Sequence, residues 1–168
     1  VAVLFIDLDG FKAINDLHGH GVGDVVLSEV ARRLLGTVRS DAMIARLGGD
    51  EFVVLLDGLT ELTDAVRLGQ RIIDELEVPM TMENATVLRI SASVGVSAVA
   101  SGATDALALL RDADVAVYRA KGRGRGRVEV FDESLQALIA ERSDTEAALR
   151  VALGAGELLL EYQPVLNT

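Results

Sequence analysis

The sequence predicts an α+β domain in which helices pack on a mainly antiparallel sheet. Three observations predict it. Strand-length apolar runs alternate with stretches of helical spacing, in the order β-α-α-β-β-α-β-α-β, across residues 1–131. Two apolar runs, residues 42–47 and 52–56, are joined by Gly48-Gly49-Asp50-Glu51, which reads as a hairpin and so as antiparallel pairing. Half of the 168 residues are hydrophobic and only 4% are aromatic, so the core has to be built of Val, Leu, Ile and Ala.

Each element has its own local reason. Residues 1–6 are continuously apolar, as in a strand buried on both faces, and run into Asp7-Leu8-Asp9-Gly10. Residues 11–17 read as a short helix or turn, and His18-Gly19-His20-Gly21-Val22-Gly23 as a glycine-rich loop. Val22, Val25, Val26, Val30 and Leu34 then recur at helical spacing and predict a helix ending near Gly36. After the hairpin, a helix over residues 62–76 presents Leu62, Ala65, Val66, Ile72, Ile73 and Leu76, and Pro79 closes it. Residues 87–99 alternate, with Val87, Arg89, Ser91 and Ser93 opposite Leu88, Ile90, Ala92 and Val94, which predicts one half-buried strand. Gly95 within it marks a bulge or a close backbone approach. Thr104 is placed to cap a helix carrying Ala106, Leu109, Leu110, Ala113, Val117 and Ala120. The basic run 121–127 is loop-like, and residues 128–131 suit a short last strand. Residues 133–154 then read as a charged Ala/Leu-rich helix and 157–166 as another strand.

Composition narrows the partners. With 26 acidic against 16 basic residues the net charge is −10, which excludes broad nucleic-acid binding but leaves room for one phosphate-bearing ligand at a local basic patch or a metal. There is no cysteine, hence no disulfide framework and no thiolate metal site, in keeping with a reducing, cytoplasmic setting. No apolar run reaches membrane-spanning length and no signal peptide is visible; any membrane anchor is expected in regions preceding this sequence. The chain opens and stops beside apolar runs, as expected of a piece of a longer polypeptide.

Four clusters carry candidate chemistry. Asp7 and Asp9 close the first strand, and Asp50 and Glu51 crown the hairpin. Neighbouring carboxylates repel one another, and folding alone gives no reason to pair them, although solvated turn acids are common. If the hairpin lies beside the first strand, Asp7 meets Asp50, and hard oxygen donors there suit Mg²⁺ completed by waters and phosphates. Asn15 and Asp24 are a turn amide and a first-turn acid facing a helix dipole, or else a base reader. A carboxylate can accept from both N1–H and the exocyclic amine of guanine; adenine offers no N1–H and is rejected. Lys121 and Arg125 are a solvated basic loop or a triphosphate clamp. His18 and His20 suit loop hydrogen bonds rather than a metal pair.

Taken together these residues resemble the GGDEF family of diguanylate cyclases. The resemblance covers residues 1–131 and rests on Asp7-Leu8-Asp9-Gly10-Phe11-Lys12, Asn15-Asp16, Gly19-His20, Gly23-Asp24, Arg46 through Phe52, Ser93-Val94-Gly95-Val96 and Tyr118-Arg119-Ala120-Lys121, in family order. It implies a fold similar to nucleotidyl cyclase catalytic domains and polymerase palms, with a ferredoxin-like core. It implies condensation of two GTP into cyclic di-GMP and two pyrophosphates, in a homodimer with one GTP per domain. By the same resemblance Asp7, Asp50 and the Leu8 carbonyl would hold two Mg²⁺ ions, with Mn²⁺ as a substitute. Glu51 would position ligand or metal. The backbone of Phe11 and Lys12 would cradle phosphate oxygens, Asn15 and Asp24 would read guanine, and Lys121 and Arg125 would hold the distal phosphates. The alternative is a non-catalytic GTP-binding module that regulates an adjoining phosphodiesterase; an interaction domain is a third class.

There are departures from the family pattern. Its Arg-x-x-Asp product site is here Arg39-Ser40-Asp41-Ala42: Arg39 is in place, Ala42 holds the acid position, and Asp41 is expected on a different side of the chain. The site reads as degenerate, with Arg39 only, and product inhibition as weak or absent. The family's N-terminal helix and Leu-Thr-Gly-Leu stretch are missing. Residues 150–153, Gly156-Glu157-Leu158 and Glu161-Tyr162-Gln163-Pro164-Val165 resemble the opening of an EAL phosphodiesterase domain. Residues 132–154 would then be a linker helix leading into that domain and 155–168 its first strand, without its metal-binding acids and prone to self-association or disorder.

Overall fold

The sheet is ordered β2-β3-β1-β6-β7, with its first strand in the middle. The computed structural model describes residues 1–59, 61–82, 85–99 and 105–132, with Ala148, Val151, Ala152 and Ala155 beyond them. Two units are separated at Asp132/Glu133. In the second unit the four described residues are helical, Ala155 lying just past the expected end of that helix. The strand expected over residues 157–166 lies outside the described residues.

β1 (Ala2–Asp9) pairs antiparallel with β3 (Glu51–Leu56) on one side and with β6 (Ser91–Ala98) on the other. β2 (Met43–Gly48) adds antiparallel to β3, and β7 (Val128–Val130) adds parallel to β6. Side chains alternate across a strand. Thus Ala2, Leu4, Ile6 and Leu8 face one core, shared with Val26, Val30 and Leu34 of α2 (His20–Thr37) and Ile72, Ile73 and Leu76 of α3 (Leu62–Glu77). Val3 and Phe5 face a second core with Val53 and with Leu109, Ala113 and Val117 of α4 (Ala106–Gly122). Burial on both faces is why β1 reads as unbroken hydrophobicity.

The structure departs from the expected elements at five places. The stretch 18–23 is not a loop. α1 (Phe11–His18) and α2 are separated by Gly19 alone, at φ 82°, and Val22 and Gly23 already donate to the Gly19 carbonyl as first-turn helical bonds. The buried face of α2 is rotated from the expected one: Val25 is exposed, while Leu27 and Arg33 are buried. In α3 Leu62 is exposed and Leu68 joins the core. Residues 87–99 are two strands. β5 (Val87–Leu88) pairs with β4 (Met80–Thr81), and β6 is buried on both faces, with Ser93 and Ser97 inside, because helices cover both sides of the sheet there. Finally, α4 is capped by the Asp105 carboxylate, which accepts from the Leu107 N–H; Thr104 lies outside the described residues.

Arg33 is a buried cation that ties α2 to the end of α3. Its Nη1 donates to the carbonyls of Glu75 at 2.8 Å and Leu76 at 3.2 Å, and its Nε to Glu29 Oε1 at 2.8 Å. It satisfies carbonyls that a helix end leaves without partners. Hydrogen bonds from Arg32 first, and then Arg33, lower the Glu29 carboxyl from 4.5 to about 2. A carboxyl depressed by folding stabilises above its unfolded value and loses that contribution as pH falls from about 4.5 towards 2. Urea unfolding of Arg33→Met is expected to show a loss of about 3 kcal/mol at neutral pH. Glu29→Gln is expected to lose less and to flatten the acid limb of the stability curve.

Candidate active site

The hairpin tip is folded back against the end of β1. Asp7 pairs across the sheet with Glu51, so both side chains project from the face covered by α4. A bulge between Arg46 and Gly48, with Gly49 at φ 52°, turns the chain. Arg46 buttresses the turn, donating from Nε at 3.0 Å and from Nη2 at 2.7 Å to the Gly49 carbonyl. The Leu8 N–H donates to the Asp50 carbonyl at 3.3 Å, which fastens the tip to β1.

The result is a group of carboxylates that raise one another's protonation. Burial first pushes the Asp7 carboxyl up; Lys121 opposes this, while Asp50 and Asp9 add to it. Burial likewise raises Glu51, helped by Asp7, Asp114 on α4, and Asp50. Lys121 Nζ stands 2.6 Å from Asp7 Oδ2. It belongs to the last turn of α4 rather than to a loop. Like-charged groups gathered at a half-buried point cost stability unless a cation offsets them. Among the described residues no three or more His, Cys, Asp or Glu side chains close round one point. The charge of Asp50 reaches Asp7, and two such carboxylates could hold an ion such as Mg²⁺, which keeps waters and takes substrate oxygens.

The other candidates sit on α1, α2 and the end of α4. Gly10, at φ 76°, turns the chain from β1 into α1, whose first-turn amides at Phe11 and Lys12 have no intrahelical acceptor. A Cβ at Gly23 would meet Asn15 Oδ1 at 1.9 Å, so this glycine is what lets the Asn15 amide lie against α2, beside Asp24. Asp24 itself is exposed. Arg125 is exposed and lies 3.8 Å, from its Nε, to Asp9 Oδ1.

Comparison with known proteins shows the family. The family described as diguanylate cyclase, GGDEF domain, matches residues 1–127. The chain belongs to the GGDEF family. It is 42% identical over 163 residues to the bifunctional diguanylate cyclase/cyclic di-GMP phosphodiesterase MucR of Pseudomonas aeruginosa, covering 97% of this chain and 24% of MucR. It is 38% identical over 148 residues to the diguanylate cyclase TpbB of the same species, covering 88% of this chain and 34% of TpbB. The chain thus spans about a quarter to a third of these relatives. A solved structure of the TpbB GGDEF domain superposes with a TM-score of 0.79 at 40% identity, covering 83% of this chain and 81% of that one.

Within this GGDEF domain three groups escaped the sequence reading. Arg46 lay inside the quoted motif, but its reach back to Gly49 depends on the bulge. Asp114 is remote in sequence, and only the packing of α4 brings its charge to Glu51. The surroundings of Arg39 are richer than expected. Its Nε pairs with Asp41 Oδ1 at 2.9 Å, so Asp41 lies on its side of the chain, not on another. Arg39 also donates to the Asp57 carbonyl and lines a cavity of about 270 Å³ with Arg67 and Arg71 of α3.

Proposed function

We propose that this GGDEF domain is a diguanylate cyclase that condenses two GTP into cyclic di-GMP and two pyrophosphates. The observation that carries it is the convergence of Asp7, Asp50 and Glu51 on one sheet end, with Lys121 beside them. Asp7, Asp50 and the Leu8 carbonyl hold two Mg²⁺ ions, or Mn²⁺ in their place. Bound there, such ions supply charge neutralisation and an acidified 3′-hydroxyl. The chain's own residues bind and orient. Asn15 and Asp24 accept and donate along the guanine edge. The Phe11 and Lys12 amides take phosphate oxygens at the start of α1. Lys121, which neutralises Asp7, and Arg125 supply positive charge for the distal phosphates. Glu51, beside Asp50 at the tip, positions ligand or metal.

The 3′-hydroxyl of each nucleotide gives its proton to solvent, and its oxygen forms a bond to the α-phosphorus of the other as that nucleotide's bond to pyrophosphate breaks. Two such displacements close the ring and release two pyrophosphates. One domain positions one GTP, so two copies face each other as a homodimer. Among the described residues no helix is long and apolar enough to cross a membrane, and we place the domain in the cytoplasm, where GTP is found. Residues 132–168, most of them outside the described residues, are read as leading into an EAL phosphodiesterase domain; MucR is named for both a cyclase and a phosphodiesterase activity. Product inhibition through Arg39 is weak, its guanidinium being held by Asp41 and the Asp57 carbonyl.

Incubation of the chain, and of the longer protein containing it, with GTP and Mg²⁺ tests this. The expected result is cyclic di-GMP and pyrophosphate by chromatography, at a rate rising with the square of protein concentration at low concentration. Saturable GTP binding without product would make it the regulatory module, and no binding would end both readings.

A further inference from the structure

We infer that Asp9 is a positioning residue: its carboxylate clasps the loop 123–127 and so sets where Arg125 stands. This rests on the nucleotide-binding reading above. Asp7 and Asp9 lie two apart on one strand and share a face, so the sequence offers them as a pair of equals. The structure separates their roles. Asp9 Oδ1 accepts from Ser93 Oγ at 2.9 Å, and Oδ2 accepts from the Gly126 N–H at 3.1 Å. Both oxygens are engaged by the protein's own donors, and the side chain is only 10% exposed. Ser93, fully buried on β6, anchors the carboxylate to the sheet. Gly126 is the far end of the clasp, at the tip of a loop that follows α4.

That loop needs holding. Gly124, Arg125 and Gly126 have φ values of 112°, 62° and 56°, three consecutive residues on the left-handed side. Glycine adopts this at little cost, but Arg125 does not, and a non-glycine residue stays there only when its surroundings fix it. The fixing bonds come from three directions. The Arg125 N–H donates to the Ala120 carbonyl at 3.0 Å, the Val94 N–H donates to the Arg127 carbonyl at 2.9 Å, and the Gly126 N–H reaches Asp9. Asp9 also lies 3.8 Å from Arg125 Nε, a charge contact rather than a hydrogen bond. It steers the guanidinium without occupying its donors, which remain for the terminal phosphates of a nucleoside triphosphate.

The test is a double-mutant cycle on the chain with two readouts. In trypsin digestion without nucleotide, Asp9→Ala is expected to be cut within 123–127 about tenfold faster than the parent while still melting cooperatively. Asp9→Asn keeps one oxygen for Gly126 and an amide that donates to Ser93, and is expected to restore most of the protection. In calorimetry with GTP, Asp9→Ala is expected to weaken binding about tenfold, and to weaken it less than about twofold when Arg125 is already Ala. Effects that multiply in the double variant, or a loop cut at the parent's rate, would overturn the assignment. If the parent chain fails to bind GTP the cyclase reading falls, and loop cleavage still decides whether Asp9 is the clasp. If Asp9→Ala does not fold, Ser93→Ala, which removes the anchor of the carboxylate, carries the same cycle, with Asp9→Asn as the variant that keeps the clasp.

Discussion

Asp50→Asn is expected to lower cyclic di-GMP formation about a thousandfold while leaving the fold intact. The substitution keeps side-chain size and removes one negative charge. Its backbone carbonyl still accepts from the Leu8 N–H, and Arg46 still holds Gly49, so the hairpin tip keeps its shape. What changes is the charge that acts on Asp7 and, on the proposed reading, the oxygens offered to a metal. Losing about 4 kcal/mol of metal-borne charge stabilisation in the transition state gives that factor. Stability should move the other way. Asp50 raises the carboxyls of both Asp7 and Glu51 by repulsion, so its neutralisation relieves both, and the melting temperature is expected to rise slightly. Initial rates at saturating GTP, beside a thermal melt of the same preparation, check both. A near-normal rate with a raised melting temperature would show that the acids are clustered without serving the reaction.

The order of strands and helices was legible because both periodicities are strong in this chain. Residues 1–6 announce a doubly buried strand, and Gly48-Gly49 between two apolar runs announces the hairpin. The meeting of Asp7 with the hairpin tip followed from placing those two beside each other, and the register Asp7↔Glu51 is that placement. What escaped depends on contacts far apart in sequence. Gly21 and Gly23 looked like loop formers, yet both are helical, and position 23 needs glycine because α2 passes close over Asn15. Nothing local in the sequence marks Arg33 as buried, and only the end of α3 gives it carbonyl partners. The alternation over 87–99 hid the break between Leu88 and Ser91, and Ser93, set on the open side of the expected strand, is a small residue under a helix.

That helix seat provides the second large effect. Gly95→Ala is expected to destabilise the domain by about 4 kcal/mol, and Gly95→Val to prevent folding. A Cβ at Gly95 would lie 1.9 Å from the Ala113 carbonyl oxygen and 2.6 Å from the Val117 nitrogen. Both are backbone atoms of α4, so no rotamer change relieves the clash and the helix must lift. The seat is built for close approach: Ala113, Ala116 and Ala120 are fully buried on α4, and Ser93 and Ser97 flank Gly95 on the strand. Lifting α4 also carries away Lys121 and the loop with Arg125, so whatever folds should bind GTP more weakly. Gly36→Ala is the control. Gly36 lies near the end of α2 with nothing within 4 Å of a built Cβ, and alanine there is expected to add about 0.5–1 kcal/mol. Urea melts of the two variants side by side read the difference. If Gly95→Ala unfolded at the parent's midpoint, α4 would not be seated on β6 by backbone contact, and the route by which this strand positions Lys121 would be lost with it.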